Sequence, residues 1–199
     1  MRPVQFVIAP ISEAQARQML AWRYDPPYDL YNPDSRHLDE DLRYFLNPVT
    51  QMHCIVRREQ TEPDETTLPS TELIGGCSFG ADARVPGADY STPALDLGIG
   101  LRPDLTSHGI GPEVIEAMMA FARAKWGETH FRASIAAFNE RSQRAFARSG
   151  FHITQHFKAE HNKMPFVVME NQSGLQSGKV DLADQELDLA DQTDLIDPD

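Results

Sequence analysis

LDLGIGLRPDLTSHGIGPEVIEAM, residues 95–118, is the stretch that decides how this chain folds. Its first seven residues alternate. Leu95, Leu97, Ile99 and Leu101 fall on one side and Asp96, Gly98 and Gly100 on the other, the period of a strand with one apolar face. From Pro112 onward, Val114, Ile115, Met118, Phe121 and Ala122 recur at helical spacing, and Pro112 suits the first helical position, where its missing N–H costs nothing. Between them lies the turn Thr106-Ser107-His108-Gly109-Ile110-Gly111. Two glycines therefore stand where a strand hands the chain to a helix N-terminus. First-turn N–H groups have no intrahelical partner, the helix dipole is positive there, and glycine lets an anion reach the backbone. The turn is a predicted phosphate site.

Downstream, Gly127 ends that helix, and Phe131, Ala133, Ile135 and Ala137 form a strand. Asn139 is a good N-cap for a short helix that closes at Arg148 and Gly150. Residues 152–157 and 165–169 then read as a hairpin across the turn 158–163.

Upstream, residues 4–8 read as a first strand ended by Pro10. Ser12 with Gln15 forms a capping-box pattern, and Ala14, Met19, Leu20 and Trp22 give a helix running to about Arg23. Residues 24–31 hold Tyr24, Tyr28 and Tyr31 among prolines, which suits either packing over the core or lining a pocket. Leu38, Leu42, Phe45 and Leu46 mark a second helix, stopped at Asn47-Pro48. Residues 52–56 and 73–79 are expected to pair as strands across a polar loop, with Gly75 and Gly76 predicting a twisted or bulged segment.

The chain has 199 residues and a net charge of -12, which argues against a nucleic-acid or anionic-membrane binder. No apolar run approaches the ~20 residues of a membrane helix, so a cytoplasmic protein is expected. Cys54 and Cys77 have no metal or redox spacing and read as small apolar strand residues; no metal is expected. The charge is uneven. Residues 171–199 carry eight acidic residues against Lys179, and repeat DLADQ seven residues apart, while residues 102–151 hold seven Arg/Lys against five Asp/Glu. The expected organisation is a domain over 1–170 and an acidic tail over 171–199, solvated or weakly helical, or else a docking element for a partner. A dinucleotide site is disfavoured because Val114 stands where GxGxxG needs its third glycine, and a nucleotide phosphate loop would need Gly-Lys-Ser/Thr.

The order of elements, together with Arg102-Pro103, Gly109-Ile110-Gly111 and the run Asn139, Ser142, Phe146, Gly150-Phe151, resembles the GNAT superfamily of acyl-CoA-dependent N-acyltransferases. That resemblance implies an α/β (α+β) fold. A mixed, mostly antiparallel sheet of about seven strands would splay between strands 4 and 5, with about four helices on both faces. It also implies acetyl-CoA as co-substrate: the pantetheine arm along Ile99, Gly100 and Leu101, the pyrophosphate on N–H groups from His108, Gly109, Ile110 and Gly111 through Pro112 to Glu113, and Asn139 and Phe146 beside the carrier. A bulge at Gly98 or Gly100 would open the gap that takes the acyl group.

The implied reaction is direct attack of an amine on the thioester. Deprotonating a lysine-like amine at pH 7 costs about 3.4 pH units, roughly 4.6 kcal/mol. Asp96 is the first candidate to help remove that proton. Two positions depart from the family pattern. Thr106 replaces Gln/Arg, removing a charged phosphate contact, and Phe146 replaces a tyrosine that protonates the leaving thiolate. Tyr90 or His108 could take that second role, His108 being better placed as a phosphate neighbour. Arg141, Arg144 and Arg148 are candidates for the nucleotide's remaining phosphate or simply a solvated face. The acceptor mouth is expected from residues 24–31, with Tyr24, Tyr28 and Tyr31, and from the 158–163 turn. Asp25, Asp29 and Glu160 there would favour a cationic acceptor: a polyamine, an aminoglycoside-like compound or a protein N-terminus. Nothing in the sequence chooses between a monomer and a homodimer. The rival reading is a non-catalytic acyl-CoA-binding module on the same fold.

Overall fold

A computed structural model of the chain describes residues 4–59 and 71–172. The loop between the second and third strands and nearly all of the acidic stretch with its DLADQ repeat lie outside the described residues.

Seven strands form one mixed sheet: β1 (Val4–Pro10), β2 (His53–Glu59), β3 (Thr71–Phe79), β4 (Leu95–Leu101), β5 (His130–Ala136), β6 (His152–Lys158) and β7 (Pro165–Gln172), in the order β1-β2-β3-β4-β5-β7-β6. All neighbours are antiparallel except β4 and β5. Pro10 ends β1, as the sequence predicted, and is itself still paired with His53. An edge strand tolerates proline because one side of its backbone needs no partner.

Four α-helices flank the described sheet: α1 (Glu13–Leu20), α2 (Leu38–Leu46), α3 (Gly111–Trp126) and α4 (Glu140–Arg148). Val114, Ile115, Met118, Met119 and Ala122 of α3 bury with Phe146 of α4 and with Leu97, Ala133 and Ile135 of the sheet. A smaller cluster, Ala16, Leu20 and Leu42, joins α1 to α2 on the opposite face. Helix α1 stops at Leu20 rather than near Arg23, and it buries Ala16 while Ala14 is exposed. Ending there frees Trp22 and Tyr24 to turn toward the sheet. Asn32 holds the departing chain, its Oδ1 accepting from Tyr24 N–H at 2.7 Å and its Nδ2 donating to the Tyr24 carbonyl at 3.1 Å.

The expected bulge in β4 is absent. β4 pairs with β3 in unbroken register from Leu97↔Phe79 to Leu101↔Gly75, through both Gly98 and Gly100. The irregularities fall elsewhere, one where β3 skips Ile74 beside Gly75, as its glycines predicted, and one at Thr154 in β6. The glycines of β4 answer a different need. A Cβ on Gly98 would lie 2.6 Å from Ser78 Oγ, and one on Gly76 of β3 would lie 2.0 Å from Met19 Cε of α1.

Candidate active site

β4 and β5 pair at only two positions, Leu95↔Phe131 and Asp96↔Arg132, and then diverge. The other edge of β4 stays bonded to β3, and Arg102 N–H donates to the Ile74 carbonyl at 2.8 Å. Since backbone groups alternate sides along a strand, Leu97, Ile99 and Leu101 turn their N–H and C=O groups into the gap. Gly100 turns its own toward β3. The Leu101 carbonyl accepts the Tyr24 hydroxyl at 2.7 Å, so Ile99 lies between that contact and the paired end as the central rung of the open edge.

The apex of the gap is pinned by charge. Asp96 is 1% exposed and Arg132 is fully buried; Arg132 Nε and Nη2 reach the two carboxylate oxygens at 2.6 and 3.0 Å. Arg84 Nε adds a third bond at 2.7 Å. Asp96 does lie opposite the apolar side of β4, as its alternation predicted. The loop after β3 covers that face, however, so the carboxylate meets two guanidiniums instead of an acceptor. The expectation that it acts as the base is therefore corrected. Tyr90 is committed in the same way. Its ring lies under the guanidiniums of Arg84 and Arg132, at 5.0 and 4.7 Å, and its hydroxyl bonds Val85 N–H, the Val85 carbonyl and Ser134 Oγ.

At the open end, α3 begins without a side-chain cap, although Ser12 caps α1 and Asn139 caps α4. Its hydrogen-bond ladder starts with Val114 N–H to the Ile110 carbonyl at 3.1 Å, so the N–H groups before it have no helical partner. Ser107 and Gly109 turn the chain through left-handed conformations at φ 67 and 81°. A Cβ on Gly109 would meet nothing within 4 Å, so the turn is open. Gly111 is tight against α4, its Cβ position 3.0 Å from Ala145 Cβ. Thr106 Oγ1 donates back to the Pro103 carbonyl at 2.7 Å. His108 is exposed and bends back on its own turn, its Nδ1 lying 3.0 Å from the Thr106 carbonyl.

Gap and turn belong to one cleft of about 760 Å³. Ile99, Gly100, Leu101, Gly109, Ile110, Gly111, Pro112, Asn139, Phe146, Tyr24 and Tyr31 all line it, so most of the residues chosen from sequence converge there. Asp96, Tyr90, His108, Glu113 and Tyr28 are not among its lining residues. Tyr28 instead packs on Phe138, with the Arg141 guanidinium 3.9 Å above its ring. Asp25, Asp29 and Glu160 are exposed outside the cleft. Phe146 is 1% exposed and meets Phe151 edge-on at 4.9 Å. Asn139 works twice: Oδ1 accepts from Ser142 N–H at 3.0 Å, and Nδ2 lies 3.3 Å from the Tyr31 hydroxyl. Burial raises the pKa of both Tyr24 and Tyr31 above the ordinary phenol value, so both keep their protons at neutral pH.

Sequence reasoning missed Met19, Trp22, Phe45, Met52 and Phe166, which also line the cleft. Their periodicity marks them as apolar, but an apolar residue facing a cleft and one facing a core carry the same signal.

The family model of the acetyltransferase (GNAT) domain matches residues 5–152. No curated protein matches the chain. Among solved structures, the aminoglycoside acetyltransferase AAC(6')-Ib in complex with coenzyme A is similar at a TM-score of 0.62 and 13% identity, over 84% of this chain and 95% of that one. A GNAT-family acetyltransferase from Bacillus anthracis gives 0.61 at 13% identity, over 86% and 98%. A chimera of spermidine N-acetyltransferase SpeG from Vibrio cholerae and hSSAT gives 0.59 at 12% identity, over 85% and 96%. These likenesses establish the shared fold. With the family model covering about three quarters of its length, the chain belongs to the GNAT acetyltransferases.

Proposed function

We propose that the protein transfers the acetyl group of acetyl-CoA to a primary amine by direct attack. One observation carries this reading: the uncapped N-terminus of α3 and the unpaired edge of β4 face the same cleft. The residues present fit the carrier. The turn is open at Gly109, its amides have no helical partner, and the Ile99 backbone, central on the open edge of β4, suits an extended amide chain. Arg141, Arg144 and Arg148 line the same side and suit the remaining phosphate. Bound acetyl-CoA supplies an acyl group already activated as a thioester. The chain holds the diphosphate on the α3 amides, orients the pantetheine on Ile99 and presents the acyl end in the gap above Asp96. Holding both reactants in one orientation is the main source of rate.

Phe146 has no proton for the departing thiolate. Two phenols line the cleft, and Tyr24 already donates to Leu101. Tyr31 accepts from Asn139, which leaves its own proton available. Tyr31 is thus the preferred acid, in place of Tyr90 or His108. Tyr31→Phe is expected to lower kcat about tenfold, at the weak end of acid catalysis because a thiolate leaves readily, with acetyl-CoA affinity unchanged. Single-turnover kinetics with calorimetry checks this; an unchanged kcat would remove Tyr31 from the step.

Two of the neighbours named above are an aminoglycoside acetyltransferase and a spermidine N-acetyltransferase chimera, but Asp25, Asp29 and Glu160, on which the expectation of a cationic acceptor rested, lie outside the cleft that would select one. Steady release of free CoA with a panel of amines tests the proposal. Tight acetyl-CoA binding with no release for any amine would favour the non-catalytic module.

A further inference from the structure

Resting on that acetyl-transfer reading, we infer that the acceptor is a primary amine of low basicity on an apolar body: a peptide α-amine behind an apolar first side chain, or an arylamine. The part of the cleft on the α1/α2 face of the sheet is built for such a molecule. Its floor is glycine backbone on which neighbouring side chains lie closely. The Cβ position of Gly76 points at Met19 Cε, that of Gly98 at Ser78 Oγ, and that of Gly100 at the Tyr24 hydroxyl 3.7 Å away. Its walls are Met19, Trp22, Phe45, Met52 and Phe166. Among the hydroxyls lining the cleft, Tyr24 is committed to Leu101 and Ser134 to Tyr90, and Tyr31 accepts from Asn139. Ser78 also lines the cleft; its hydroxyl has no hydrogen-bond partner among the described residues and suits an amide or amine.

The charges in the cleft have the wrong sign for a cation. Among the described residues, the charged side chains that line it are Arg141, Arg144 and Arg148, all on α4. The carboxylate on the lobe's own face, Asp96, is closed off by Arg84, Arg132 and Tyr90. An ammonium entering apolar walls loses its hydration without gaining a counter-charge, so the lobe favours the neutral amine. The amine must then bring its own lone pair. At pH 7 about 1 in 2500 molecules of a lysine-like amine is neutral, against about 1 in 10 of a peptide α-amine, and an arylamine is neutral throughout. The cleft thus selects for low basicity and an apolar body together.

The test compares kcat/KM for four acceptors after acetyl-CoA binding has been measured by calorimetry: a phenylalanine-initiated tripeptide amide, 4-methylaniline, 2-phenylethylamine and spermidine. The tripeptide or the arylamine, whichever source is the natural one, is expected to exceed 2-phenylethylamine at least tenfold, although all three carry an aromatic ring. It should exceed spermidine at least a hundredfold. With the tripeptide, kcat/KM should rise with pH and level off at the pKa of its own amine. Met52→Glu, which places a carboxylate in the wall, should narrow the tripeptide-to-spermidine ratio at least fivefold. Spermidine equal to or better than the tripeptide overturns the inference. So does a bend in the profile that stays put when the amine is changed. If acetyl-CoA binds and none of the four is acetylated, the acceptor class is wrong and the carrier site stands; if acetyl-CoA does not bind, the acetyl-transfer reading itself fails.

Discussion

Gly109→Glu is expected to weaken acetyl-CoA binding at least 100-fold while the protein stays folded. Gly109 sits at φ 81°, with open space where a Cβ would go, at the mouth of the uncapped α3 helix. A left-handed conformation costs an ordinary residue about 1–2 kcal/mol. The added carboxylate matters more. At about 5 Å from a diphosphate and an effective dielectric of about 20, each charge pair costs about 3 kcal/mol, itself a factor above 100. Gly109→Ala isolates the backbone cost, and its affinity should fall by less than tenfold. Calorimetry on both variants, with Tm measured alongside, checks the pair. A glutamate variant that folds and binds as tightly as the parent would show that the α3 amides do not hold the carrier.

Asp96→Asn is expected to have the largest effect on stability and little on chemistry. It leaves two guanidiniums, one of them fully buried, without their counter-charge. Breaking a buried ion pair costs about 3–5 kcal/mol. In a chain of this size that lowers Tm by roughly 6–20 °C. Assayed well below that Tm, the variant should keep kcat within about threefold of the parent, whereas loss of a general base costs about 100-fold or more. Arg132→Met should destabilise to a similar degree by leaving Asp96 with Arg84 alone. A normal Tm with a collapsed kcat for Asp96→Asn would restore the carboxylate to the reaction.

The two substitutions separate the two ends of one device. The end proposed to hold the diphosphate depends on backbone geometry that glycine makes available. The apex depends on an ion pair that fixes where two strands part: below Asp96↔Arg132 they are bonded, and above it they open. Tyr90 and the loop that carries Arg84 hold that point closed from the side, and the backbone bond from Glu160 N–H to the Pro86 carbonyl at 2.9 Å ties the loop to the β6–β7 turn.

The strand, glycine turn and helix of residues 95–126 were legible because each is written in local periodicity and in residues with a fixed backbone preference. The same holds for the Asn139 cap and the Gly127 stop. Local signals of this kind survive without knowledge of neighbours, and so most of the residues expected to hold the carrier were found to line the cleft, though His108 and Glu113 do not. The acceptor half was not legible. Whether Met19, Trp22 and Met52 face a core or a cavity, and whether Asp96 meets solvent or two arginines, depends on which segments cross that face of the sheet. Those segments are separated from it in sequence by tens of residues, and composition does not record the crossing. Sequence alone therefore determined the fold and the position of the glycine turn at the start of α3. Only the packing of α1, α2 and the loop after β3 over the sheet decided which polar groups remain available for chemistry, because burial is a property of what lies on the other side of a residue.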